Sequence, residues 1–240
     1  MKVYIDKPER LAQLAAKPYV KLLNNKPDAV LGYATGSTPL GLYAELVKLN
    51  RAGAMSFAAA TTFNLDEYIG LAGTHDQSYR YFMDKNLFDL IDIPKESTHV
   101  PCGLGDSELV AAEYEAAIAA AGGIDLQLLG IGHDGHIGFN EPGTPFGSAT
   151  HPVQLERRSI EANSRFFATI DDVPKSAITM GMKTIMNARA IVFIATGKDK
   201  AEIVQKTLQG PVTEEVPASV LQLHPFVEFY IDEDAASLLK

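Results

Sequence analysis

From residue 130 to 142 the chain reads Gly-Ile-Gly-His-Asp-Gly-His-Ile-Gly-Phe-Asn-Glu-Pro, its densest collection of groups able to exchange protons. His133 and His136 lie among Asp134 and Glu141. A carboxylate beside an imidazole orients the ring and stabilises its protonated form, which makes a proton shuttle near neutral pH. The same residues could ligate a metal, although the intervening glycines deny the helical frame of an H-E-x-x-H site. Residues 130–135 also satisfy G-x-G-x-x-G, yet Gly138, Pro142, Gly143 and Pro145 follow where a dinucleotide site needs a helix. The plainest alternative is a loop whose polar groups merely satisfy one another.

Three other clusters could act with this one. Asp66 and Glu67 are adjacent in Asn-Leu-Asp-Glu-Tyr, at the end of an apolar run. One of them could be a general base; alternation along an extended chain points them in different directions, so at most one should face a substrate. Gly36, Ser37 and Thr38 precede Pro39, a pattern that reads as a strand-to-helix turn with Thr38 as N-cap. Free amides at such a turn, with the helix dipole, attract an anion; no Gly-Lys-Ser/Thr follows, so it is not a Walker A loop. Arg165 and Lys200 are candidate cations for the same anion. Arg165 is followed by two phenylalanines, and Lys200 sits at an expected helix start, where a cation opposes the dipole unless an anion binds.

What must hold these groups is an alternation of short apolar runs and longer helical patterns. Residues 3–5, 29–33, 61–65, 126–129, 191–195 and 227–231 read as strands, and 8–24, 39–50, 77–88, 107–121, 175–187 and 198–209 as helices. Alternation of this kind implies a single α/β domain over residues 1–240, three-layered, with a mostly parallel sheet and helices on both faces, Rossmann-like. Ligands of such sheets bind outside the carboxyl ends of the strands, so chemistry is expected just after Tyr33, Leu65, Leu129 and Ala195. Residues 130–167 carry no sustained period, as expected of a functional loop region.

Bulk composition adds bounds. With 240 residues, 46% hydrophobic and 21% charged, the chain can bury a full core without disulfides. A net charge of −9 with no basic stripe argues against nucleic-acid binding. No apolar run approaches the roughly 18 residues of a membrane span, and the start lacks a secretory signal. Cys102 is the single cysteine, which suits a reducing, cytoplasmic setting.

In order along the chain, LGYATGSTPLGLY, TFNLDEYIGL with SYRYFM, GIGHDGHIGFNEPG, ANSRFF, TGKDKA and SVLQLHP resemble the glucosamine-6-phosphate deaminase family. Its superfamily also holds 6-phosphogluconolactonase. The resemblance spans residues 31–225 and implies a role for each cluster. Asp66 would move the C2 proton during enolisation, and His136, with Asp134 and Glu141, would serve ring opening. Gly36, Ser37, Thr38, Arg165 and Lys200 would hold the phosphate. It implies conversion of glucosamine 6-phosphate to fructose 6-phosphate and ammonia, with no metal or cofactor and with an active-site lid near residues 150–175. The rivals it leaves are a lactonase, which needs no base at Asp66, and a sugar-phosphate sensor. A sensor is expected to carry an additional DNA-binding domain, for which the chain leaves no room.

Longer members of this family are hexamers activated by N-acetylglucosamine 6-phosphate through basic residues after the Asn-Glu-Pro motif and through a longer C-terminal tail. Residues 146–154 here contain no Arg or Lys, and the chain stops at Lys240. The departure implies a monomer or small homo-oligomer without that activation.

Overall fold

The computed structural model describes residues 1–155, 167 and 169–240, with only the backbone of Asp171. Ten strands are present among them: β1 (Lys2–Asp6), β2 (Val30–Tyr33), β3 (Thr61–Asn64), β4 (Asp66–Tyr68), β5 (Thr98–His99), β6 (Leu126–Leu129), β7 (His151–Gln154), β8 (Ser176–Thr179), β9 (Ala190–Ala195) and β10 (Val227–Asp232). The helices are α1 (Pro8–Asn25), α2 (Leu40–Arg51), α3 (Tyr79–Asn86), α4 (Ser107–Ala120), α5 (Met182–Met186) and α6 (Ala201–Gln209).

Seven strands form a parallel sheet in the order β1-β10-β9-β6-β2-β3-β5. Every residue of β2 and β6 is buried because helices cover both faces, and their side chains are mostly apolar; the polar Gln127 donates from Nε2 to the carbonyl of Leu128. On α1, Leu11, Ala15, Ala16, Tyr19 and Leu23 are buried; their spacing puts one apolar stripe against the sheet. Asp106 caps α4 by accepting from the amides of Glu108 and Leu109. The expected α/β architecture is therefore the one observed. Among the described residues no helix is long and apolar enough to cross a membrane.

The order reverses between β2 and β6. From β2 the chain builds outward through β3 and β5, then returns to the other side of β2 and builds through β6, β9 and β10. The loops leaving β2 and β6 consequently diverge and open a crevice at the carboxyl edge, as a topological switch point does.

A second, antiparallel sheet, β4-β8-β7, stands at that edge. The chain leaves β3 at Leu65, whose carbonyl accepts from Met180 N at 2.6 Å, and enters β4 directly. This corrects two expectations. Residues 175–187 are not one helix: β8 pairs with β4 and β7, and only α5 is helical. Partners distant in sequence override a local helical pattern there. Residues 130–167 are also not wholly irregular, since β7 lies within them.

Candidate active site

The crevice is a cavity of about 450 Å³ lined by residues that follow β2, β3 and β6, together with the start of α3 and Lys200. Of the residues expected from sequence, Gly36, Ser37, Thr38, Asp66, His136 and Lys200 all line it. Asp134 and Glu141 stand behind His136. Arg165 lies outside the described residues, as do residues 156–166 and 168 of the stretch expected to form a lid.

The loop after β2 turns at Gly36, whose φ of 97° lies in the left-handed region that favours glycine. The helix begins later than expected. Thr38 is not its N-cap: α2 starts at Leu40, preceded by Pro39, and no side chain caps it. Ser37 and Thr38 therefore remain in the loop that faces the cavity. Tyr43 of α2 donates its hydroxyl back to the carbonyl of Ala34, tying helix and loop together. At the opposite wall, Lys200 ends a single 3-10 turn before α6. Burial lowers its pKa, with Asp199 and Asp134 acting the other way, so a bound anion would restore what desolvation removes.

Asp66 is 6% exposed. Burial raises its pKa to about 7, the neighbouring Glu67 adds to the rise, and His136 opposes it. Such a carboxyl is a base matched to neutral pH. Glu67 points elsewhere, as strand alternation requires: it accepts from the amides of Tyr79 and Arg80 at the start of α3, each at 2.9 Å.

The loop after β6 folds into a tight turn closed by Gly132 N donating to His136 O at 3.0 Å. The His136 ring lies against Gly132 so closely that a Cβ there would stand 2.1 Å from Cε1. Its Nδ1 is 2.7 Å from Asp134 Oδ1 and 3.2 Å from Glu141 Oε2. Burial disfavours the imidazolium, but the bonds and charges of both carboxylates outweigh it and raise the pKa to about 9. The bond to His136 in turn holds Asp134 well below the usual carboxylate range. These three residues offer donor atoms within 4.8 Å of one another, close enough to consider as ligands of one metal ion. Contact at 2.7 Å between Nδ1 and Oδ1 is that of an ion pair: two ligands each about 2.0–2.2 Å from one zinc ion would be spread farther apart. His133 is drawn away, its Nε2 lying 2.7 Å from Asp199 Oδ2.

Sequence reasoning missed the aromatic wall. Tyr68, Tyr79, Phe139 and Phe167 line the cavity and pack on one another, Tyr68 on Tyr79 at 4.7 Å between centroids and Phe167 at 6.1 Å from Tyr68. The two-residue alternation that puts Tyr68 on the face of Asp66 was the available signal.

A buried carboxyl, a histidine held by two carboxylates and a glycine-containing turn surround one switch-point crevice, the arrangement of an α/β enzyme. A profile described as glucosamine-6-phosphate isomerases/6-phosphogluconolactonase matches residues 7–227, and the chain belongs to that family. It is 51% identical over 233 residues to a glucosamine-6-phosphate deaminase of Clostridium perfringens, covering 97% of this chain and 96% of the relative. It is 50% identical to the protein of that name in Thermoanaerobacter pseudethanolicus, covering 96% and 92%. The solved structure of a monomeric glucosamine-6-phosphate deaminase matches with a TM-score of 0.96 at 46% identity, covering 99% of this chain and 100% of that one. A 6-phosphogluconolactonase from Trypanosoma cruzi matches at 21% identity with a TM-score of 0.78, which speaks for the fold alone.

Proposed function

We propose that this chain is a glucosamine-6-phosphate deaminase, converting glucosamine 6-phosphate and water to fructose 6-phosphate and ammonia. The observation that carries the reading is that Asp66, His136 and the Gly36–Thr38 turn face one cavity. An acid, a base and a phosphate anchor are what an isomerising deamination needs together, and a lactone hydrolysis has no use for a base at C2.

In this reading the phosphate rests on the amides and hydroxyls of Gly36, Ser37 and Thr38 and on Lys200, with Arg165 as a second cation. His136 starts as an imidazolium. Asp134 and Glu141 hold its Nδ1, which leaves Nε2 to give its proton to the ring oxygen and then to take up the proton that the anomeric hydroxyl loses. The pyranose opens to the aldehyde. Asp66, ionised, takes the proton from C2 while Nε2 of His136 returns its proton to the aldehyde oxygen, giving an enolamine, and Asp66 then delivers its proton to C1. The C2 imine adds water and expels ammonia, leaving the ketose. Each positioned acid or base contributes about 10²–10⁴-fold, and holding the sugar by its phosphate supplies the alignment. Every step is a proton transfer or an addition of water, so none of them calls for a redox cofactor.

A monomeric, cytoplasmic enzyme following hyperbolic kinetics is the form that we assign to it. The test of the activity is ammonia release from glucosamine 6-phosphate, with 6-phosphogluconolactone hydrolysis as control. Lactone hydrolysis without ammonia release would replace the reading with its rival.

A further inference from the structure

Glu67 is a buried carboxylate with no part in the steps above. It is 2% exposed, on β4, directly after the residue read as the base. Its Oε1 accepts from the amides of Tyr68 and Tyr79, and its Oε2 from the amide of Arg80, all at 2.9 Å. The last two are first-turn amides of α3, which Ser78 caps by accepting from Tyr81 N. One side chain thus joins the strand that carries Asp66 to the helix that carries Tyr79, two walls of the same cavity.

We propose that Glu67 is a positioning residue for proton abstraction at C2, locking β4 to the first turn of α3 and keeping a negative charge beside Asp66. The inference rests on Asp66 being the C2 base. Burial raises the pKa of Glu67 on balance, and the three amide bonds it accepts at the helix start limit that rise by stabilising its ionised form. That charge favours the protonated form of Asp66 and so strengthens it as a base. Among the described residues, the other groups that act on Asp66 are His136, backed by Asp134 and Glu141, and the phenols Tyr43 of α2, Tyr79 of α3 and Tyr114 of α4. Burial pushes all three phenols well above their usual value, so they stay neutral where the enzyme works. Glu67 itself also feels His75, which favours its charge.

The test is kcat/KM against pH for the parent, Glu67→Gln and Glu67→Asp. Glutamine keeps an acceptor for α3 but loses the charge. The midpoint of its acidic limb should fall by about one pH unit, which at low pH is about tenfold more activity relative to its own plateau. Its plateau should drop, because the base is weaker. Aspartate keeps the charge, and its limb should stay near the parental position. A Glu67→Gln variant that melts earlier and turns over more slowly with an unmoved acidic limb would reduce Glu67 to a structural tie and overturn the proposal. Should neither variant fold, carboxyl carbon-13 titration of the parent decides. Glu67 should ionise before Asp66, and a Glu67 still protonated where activity has appeared would sink the idea. Asp66→Asn separates the two levels: C2 proton exchange surviving in that variant removes the base assignment itself. Loss of exchange together with an unmoved limb in Glu67→Gln removes only the role of Glu67.

Discussion

Asp66 and His136 carry shifted protonation equilibria in the same direction for opposite reasons. Burial keeps the proton on Asp66 up to about pH 7, while two carboxylates keep the proton on His136 up to about pH 9. A base must be ionised and an acid protonated, so kcat/KM should fall below about 7 and again above about 9. A pH–rate profile that shows no loss on either side contradicts these roles. Asp66→Asn is nearly isosteric and should abolish deamination while sugar-phosphate binding persists; solvent exchange of the C2 proton at the parental rate would show another base at work. Lys200→Ala should weaken binding of phosphorylated sugars by about one to two decades, the worth of a charge-assisted contact, and should barely touch unphosphorylated ones. Equal affinities of variant and parent for a 6-phosphate would remove Lys200 from the anion site.

Whole elements are held to the site by single polar side chains. Glu115 of α4 is the plainest case: its Oε1 accepts from Thr150 N at 2.7 Å, Thr150 Oγ1 at 2.5 Å and Thr184 Oγ1 at 2.6 Å. It therefore fastens both the entry to β7 and the helix α5 that follows β8. Glu115→Ala would leave the buried Thr150 and Thr184 groups without their acceptor, at a cost of about 1–3 kcal/mol. For a chain of this size each kcal/mol is worth about 2–4 °C in Tm, which calorimetry resolves. An unchanged melting temperature would mean that the small sheet is held by its own strand pairing. Asp232, at the end of β10, plays the corresponding part for the turn before Lys200, both its oxygens accepting from Gly197 N.

For the molecule as a whole, one continuous core runs from α1 through the parallel sheet to the final strand, with a smaller cluster around Tyr68 and Phe139 under the antiparallel sheet. Shared strands and helices couple the two, so heat should unfold the chain in one cooperative transition. Two separate calorimetric peaks would contradict a single domain. Residues 146–154 offer no Arg or Lys for an effector phosphate. Substrate saturation should therefore be hyperbolic, and N-acetylglucosamine 6-phosphate should leave the curve unchanged. A sigmoidal curve that the acetylated sugar straightens would overturn that expectation.

Periodicity and composition were enough to determine the alternating fold, because buried parallel strands are mostly apolar and covering helices carry one apolar stripe. The types and order of residues such as His136, Asp134 and Asp66 were likewise enough to nominate the chemistry, since few side chains exchange protons near neutrality. Tertiary structure decided everything that depends on partners distant in sequence. It turned residues 176–179 into a strand by pairing them with β4 and β7, and started α2 at Leu40 so that Thr38 stays in the loop that lines the cavity. It gave Asp66 and Glu67, indistinguishable as neighbours in the chain, different duties by aiming one into the cavity and the other at α3. It also set their ionisation, because a pKa near 7 for a carboxyl comes from burial and neighbouring charge, which exist only once the chain has folded.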